Sequence, residues 1–397
     1  MKVPIRARRL RVRAALIVVV TAAALFSTAT AATADGNHGR DGHHDRGHET
    51  SAIVFNGEGN NLNAYTPTPP FRKQTVIHTR ADDPRGLDIN GQICFFPDGS
   101  RRFVAGEDTG QPNPPQGWGI FQLHGDRVGS LSATEVAKLT PTYQPSVDNA
   151  ENYGCGFLSH GRVLTTDVGN QATGTGDGQL IVWFPPFRFG ANHYCKVATD
   201  IATAGGIHVD GHDRVYVASA RAPTAGIWRY TDLPTSDTAA GGCGAKDATG
   251  APLATSVHRS LFITADPHAA TPNAIVASGH GTFYVSSVFT GTIAEYDRRG
   301  TFLRTILAPP AGDMLGAKPY STGTPLGIGV GPDGSIYYAD IGIVISSGGI
   351  GPGNDTGTVR RIRFVHGVPQ APQTMDTALA FPDGIGILTP RAHQDND

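Results

Sequence analysis

A chain of 397 residues with 39% apolar and 17% charged side chains has the material for a large core, and its 51 glycines and 28 prolines make it turn-rich without reaching low complexity. The net charge of −2 hides an asymmetry: six of the 32 basic residues and none of the 34 acidic ones lie in residues 1–34, so the remainder carries 26 basic against 34 acidic residues, a net of −8. A body of that sign argues against nucleic acid or an anionic membrane as partner, because both call for basic patches.

In chain order, a basic stretch ending at Arg13 precedes an apolar run, Ala14–Phe26, and Ala32-Thr33-Ala34 fits a small-residue cleavage site. The run falls short of the ~20 residues a membrane span needs. Residues 1–34 therefore read as a cleavable signal peptide and the protein as secreted. Arg8-Arg9 leaves the export route open. Residues 35–50, rich in His, Gly and Asp, cannot bury a core and read as a disordered linker. The folded domain is expected over 51–392, with a disordered tail at 393–397. Four cysteines in an exported chain point to two disulfides, with three possible pairings.

From residue 51 the chain repeats. Ala52–Phe55, Asn61–Tyr65 and Lys73–Ile77 read as strands. Asn90-Gly-Gln-Ile-Cys-Phe-Phe-Pro-Asp-Gly99 and Phe103–Glu107 then form an apolar stretch, a turn and a second β-rich stretch. The same unit recurs at Asn152–Asp167, Ala204–Ser219, Pro272–Ser287 and Pro325–Asp340. Each is a hairpin signal. Third and fourth strands follow, as at Gly291–Tyr296 and Thr301–Ile306. Four antiparallel strands repeated around a ring make a β-propeller. Pro382–Leu388 opens one more unit as the chain ends, and its missing strands are those at the beginning. The fold is thus all-β, a six-bladed β-propeller whose last blade is closed by N- and C-terminal strands. Cys94 and Cys155 hold nearly matching positions in first strands of consecutive blades, which favours Cys94–Cys155 and leaves Cys195–Cys243.

First-strand starts and second-strand ends of a propeller lie on one face. There the sequence places Asn90, Asn152, Asn273 and Asp383, with Asn56, Glu107, Asp108, Asp167, Asn170 and Asp340. Amide oxygens beside carboxylates suit a hard cation such as Ca²⁺. Pro272-Asn273-Ala274-Ile275 and Pro382-Asp383-Gly384-Ile385 are similar to strand starts of the SMP-30/gluconolactonase and paraoxonase-like propellers. The blade pattern also resembles NHL-type and virginiamycin B lyase-like propellers. The first resemblance implies a catalytic Ca²⁺ held by Asn273 and Asp383, with Asp383 as general base; Asn90, Asn152 and Glu107 are expected as further ligands from their place at the mouth, since the family's metal-binding glutamate has no clear counterpart and Glu107 lies on a different strand. Leu326 also departs from that resemblance, standing where a ligand is expected between the Asn273 and Asp383 blades. His208 is placed in a first strand where it could face the channel, and Arg221 at a second-strand end where it could hold an anion.

The leading reading is a monomeric, calcium-dependent lactonase or esterase acting on a small molecule at the channel mouth. The alternatives are a non-catalytic propeller that binds an extracellular polysaccharide, peptide or protein, and a virginiamycin B lyase-like lyase.

Overall fold

Successive side chains of a strand point to opposite faces, and in β1 (Ile53–Glu58) both faces are buried. Ile53 and Phe55 enter one apolar cluster and Val54 another. Such a strand needs a packed sheet on each side. The computed structural model, which describes residues 52–58, 61–78, 88–108, 117–140, 152–169 and 177–389, meets that need with a ring. The expected signal peptide, linker and tail lie outside the described residues.

β2 (Asn61–Tyr65) and β3 (Lys73–His78) extend outward from β1. β4 (Asp88–Phe95), β5 (Arg102–Asp108), β6 (Gly117–His124) and β7 (Ser132–Leu139) form the next meander. β8 (Asn152–Phe157), β9 (Val163–Asp167), β10 (Gly178–Phe184) and β11 (His193–Ile201) form the third. β12 (Ala204–Val209), β13 (Val215–Ser219) and β14 (Gly226–Thr231) begin the fourth. An insertion follows, whose short strands β15 (Ala245–Lys246) and β16 (Pro252–Leu253) reach back to pair with β11, before β17 (His258–Thr264) completes the blade. The fifth is β18 (Pro272–Ala277), β19 (Phe283–Ser287), β20 (Thr292–Tyr296) and β21 (Phe302–Leu307).

The sixth starts with β22 (Pro325–Val330) and β23 (Ile336–Asp340). The hairpin β24 (Ile343–Ser346)–β25 (Gly349–Pro352) interrupts it before β26 (Gly357–Ile362). A second hairpin, β27 (Phe364–Val365)–β28 (Val368–Pro369), precedes its outer strand β29 (Gln373–Leu379). β30 (Pro382–Leu388) then pairs antiparallel with β1, Ile53 opposite Leu388 and Phe55 opposite Gly386. The expected six blades and their closure by the two chain ends are therefore present. Acidic residues shape the turns between inner strands. Asp210 Oδ1 accepts from the His212 and Arg214 amides, and Asp333 Oδ1 from the Ser335 amide, the Asx-turn chemistry that makes Asp a turn former.

The core is divided into slabs between neighbouring blades. β13 sends Val215 and Val217 to the slab shared with the third blade and Tyr216 and Ala218 to the slab shared with the fifth. β23 divides Ile336 and Tyr338 from Tyr337 and Ala339 in the same way. Six apolar clusters fill the six interfaces in this manner. Cys94 on β4 is bonded to Cys155 on β8 across one interface, with Cα atoms 6.0 Å apart, and Cys195 on β11 to Cys243 in the insertion. Both match the expected pairing. No helix among the described residues is long and apolar enough to cross a membrane.

Removing residues 382–397 exposes the inner face of β1 and one face of the sixth blade together. We expect global unfolding, read as loss of the cooperative thermal transition; an unchanged midpoint would contradict closure by β30. Replacing Cys94 and Cys155 by Ala, which opens a loop of 61 residues, should lower stability by about 4 kcal/mol in denaturant titration.

Candidate functional site

The innermost strands β30, β4, β8, β12, β18 and β22 run in that order around the axis, each against the next. Every one carries extra residues near its start. In β30, Pro382 opposes Glu58 and Gly384 opposes Gly57, leaving Asp383 over. In β18, Pro272 opposes Ser287 and Ala274 opposes Ser286, leaving Asn273 over. Between their paired neighbours, β8 fits Tyr153 and Gly154, β12 Gly205 and Gly206, and β22 Leu326 and Gly327, each against one partner residue. β4 fits Gly91 to Ile93 against one. Bulges bend a strand and re-aim side chains, so the end of the ring near these strand starts gathers unlike residues at equivalent positions.

Glycine makes the crowding possible. A Cβ on Gly384 would run into the Gly91 carbonyl, and one on Gly327 into the Asp383 carbonyl. A Cβ on Gly91 would stand 2.5 Å from the Tyr153 carbonyl oxygen.

Asp383 is 2% exposed, and its Oδ2 accepts from the Gly91 amide at 2.8 Å. Gly57 lies beside it, packed so closely that a Cβ there would stand 2.9 Å from the Ile89 carbonyl oxygen. Tyr153 lies close enough for the Asp383 charge to act on its phenol, which burial first and Asp383 second hold well above the usual range. An apolar cluster covers this end of the ring. It unites Tyr153 and Val168 from the third blade with Val288, Leu326, Ile341 and Ile343 from the fifth and sixth. Among the described residues it is the one apolar cluster that spans blades across the axis, β8 and β22 being opposite each other in the ring. Val168, Val288 and Ile341 each directly follow a second strand.

The structure brings some of the expected ligands together and parts others. Asn90 and Asn152 meet over Gly106, where a Cβ would stand 2.6 Å from Asn90 Oδ1 and 3.0 Å from Asn152 Cβ. Asn152 Nδ2 donates to the Gly117 and Glu107 carbonyls at 2.6 and 3.4 Å, tying its blade to the preceding one. Glu107 is 2% exposed and ion-paired at 2.6 Å with Lys138 on its own blade's outer strand. Asn273 lies in another sector, two blades from Asp383, and its Oδ1 accepts from the Val288 amide at 3.1 Å. Asn56 Nδ2 donates to the Gly384 carbonyl.

Asp340 is fully engaged by the Thr324 and Gly342 amides, the Thr358 hydroxyl and Arg360, and Asp167 accepts from the Gly169 amide. Both organise turns. Asn170 and the side chain of Asp108 lie outside the described residues. His208 does not face the channel. It sits between blades four and five against Tyr216 and Phe283, with ring centroids 6.0 and 5.6 Å away, where burial lowers its pKa. Arg221 is partly buried, which lowers its pKa, and its side chain makes no ion pair or hydrogen bond among the described residues.

A calcium ion takes six to eight oxygens. Among the described residues no three His, Cys, Asp or Glu side chains converge. Glu107 is neutralised by Lys138, and Asn273 and Asp383 already bind backbone amides in different sectors. As the side chains stand, Asn273 and Asp383 are held in different sectors of the ring. Sequence reasoning missed Tyr153 and the apolar residues after the second strands. The signals were Tyr153-Gly154 matching Leu326-Gly327 and Asp383-Gly384, and the recurring Asp-Val, Ser-Val and Asp-Ile pairs at 167–168, 287–288 and 340–341.

No family model and no curated protein matches the sequence. Among solved structures, a luciferin-regenerating enzyme superposes with a TM-score of 0.52 at 13% identity, covering 85% of this chain and 93% of that one. Looser likenesses are virginiamycin B lyase from Staphylococcus aureus (TM-score 0.45, 8% identity, 86% of this chain and 93% of that one) and a gluconolactonase from Xanthomonas campestris (0.42, 14%, 70% and 75%). The chain is a six-bladed β-propeller in its fold. At such identities the likeness speaks for the fold alone, and the chemistry of this propeller rests on the residues at its own mouth.

Lys138→Met takes a cationic partner from the buried Glu107 carboxylate and should cost about 3 kcal/mol in urea unfolding. Adding Glu107→Gln to it should restore most of that loss, since no charge then stays buried. A single variant as stable as the wild type would show that Glu107 is solvated.

Proposed function

We propose that the protein is a secreted hydrolase that cleaves a small, largely apolar ester or lactone at the channel mouth, with Asp383 as general base. The observation that carries the reading is Asp383 itself. It is a carboxylate at a bulged strand start, buried, oriented by the Gly91 amide and near enough to Tyr153 of the apolar cluster for its charge to act on the phenol. A base held in one orientation in a partly dry site takes a proton efficiently. Asp383 would accept a proton from water as the oxygen attacks the acyl carbon. Collapse of the tetrahedral intermediate breaks the bond to the alkoxy oxygen, and the proton on Asp383 passes to that leaving oxygen. In a lactone both products stay in one molecule, a hydroxy acid.

Secretion is part of the proposal and is supported by the two formed disulfides, which persist in oxidising compartments. The apolar rim, with Met314 80% and Ile345 45% exposed, also supports the rival reading of a propeller that binds without reacting.

A panel of γ-lactones and aryl esters, assayed with and without EDTA, tests the proposal. Asp383→Asn keeps an acceptor for the Gly91 amide but removes the base, so kcat should fall at least about 100-fold with KM little changed. Wild-type turnover by this variant, or no turnover of any substrate by the wild type, sinks the hydrolase. Activity lost in EDTA and restored by calcium would show that the ion takes part in turnover. Metal analysis of Asp383→Ala and Asn273→Ala would then show whether these two residues share the ion.

A further inference from the structure

The Tyr153 hydroxyl is buried with no hydrogen-bond partner among the described residues, and the whole residue is only 7% exposed. Buried tyrosines nearly always bond their hydroxyl, and an unmet buried polar group weakens a fold by about 1–3 kcal/mol. Such a group calls for a reason. Other buried side-chain atoms share the condition, Tyr230 Oη and Asn56 Oδ1 among them. Tyr230, however, belongs to the slab between the third and fourth blades, whereas Tyr153 lies in the cluster across the axis. It follows Asn152 at a strand start, at the position that Asp383 holds on β30 and Leu326 on β22.

We propose that the Tyr153 hydroxyl is the hydrogen-bond donor for a ligand at the channel mouth, and that the ligand is a neutral, mainly apolar molecule carrying an acceptor oxygen such as a carbonyl. Each part follows from the surroundings. The phenol stays protonated, because burial and the neighbouring Asp383 charge both oppose its ionisation, so towards a ligand it acts as a donor. Asp383 repels an anionic ligand. Val168, Val288, Leu326, Ile341 and Ile343 are buried around this end of the ring, so a ligand that reaches the hydroxyl must part apolar side chains and be mainly apolar itself. A single fixed polar group in an apolar pocket supplies orientation and specificity. The inference deepens the hydrolase reading by naming what its substrate must present, and it rests on that reading only for the claim that the bound carbonyl reacts.

Calorimetric titration of the full chain with 2-hexylcyclopentanone, which cannot be hydrolysed, and with hexylcyclopentane, which lacks the oxygen, tests it without turnover. Wild type should bind the ketone about tenfold more tightly than the hydrocarbon, the worth of one hydrogen bond. Tyr153→Phe should bind both alike. The same variant should melt at or above the wild-type temperature, because it removes an unpaired buried group. The idea is overturned if wild type shows no preference for the ketone, if Tyr153→Phe keeps it, or if heptanoate binds as well as the ketone. It is also overturned if Tyr153→Phe melts more than about 2 °C lower, which would mean that the hydroxyl is already bonded within the fold, for example to a structural water. Ketone preference lost in Tyr153→Phe without lactone turnover in wild type would leave this inference standing and remove the hydrolase.

Discussion

Because the side chains of a strand alternate between two faces, each blade presents two apolar surfaces, and only a neighbouring blade can cover either one. Val54 and Phe55 are adjacent in sequence yet belong to different slabs of core. The ring therefore has no interior separate from its joints. Its stability lies in six interfaces arranged in series around a circle, and the pairing of β30 with β1 is what makes the series a circle. At the axis the strands meet backbone to backbone through Gly327, Gly384 and Gly91. This leaves the bulged strand starts as the positions where side chain, not backbone, decides what the ring contains.

Most of this architecture was legible in the sequence because it follows from repetition. A turn glycine between apolar stretches recurs at each hairpin, so strand order, closure and both disulfides could be placed from position within the repeat. The candidate site was less legible, and the reason is local. A bulge adds one residue without changing composition, so an alignment by turns located Asn273 and Asp383 but took Asn152, not Tyr153, as the matching residue of β8. His208 was misjudged for a related reason. Its strand start was clear, but the face it takes depends on parity after the bulge at Gly205-Gly206, and that parity turns it to Phe283. Partners in other elements are also invisible to local reading. Nothing near Glu107 in sequence announces Lys138 on the blade's outer strand.

The acids at second-strand ends illustrate how composition misleads where geometry decides. Asp340 and Asp167 are placed beside the mouth, yet both turn back to bind amides of their own loops. The residues that follow them, Ile341 and Val168, point into the apolar cover instead. A mouth that reads as acidic along the chain thus carries an apolar cover in three dimensions, over buried asparagines and Asp383.

The shared blade also sets an order in time. Chains are made from the N-terminus, so Ile53 is synthesised long before Leu388, the residue it must sit beside. Until then β1, β2 and β3 are an incomplete sheet with no inner neighbour, while the blades after them can already stack. The oldest strands of the ring are consequently among the last to reach their final state. The segment most exposed to wrong pairing during synthesis is the one whose release from that danger is written in the final residues of the domain.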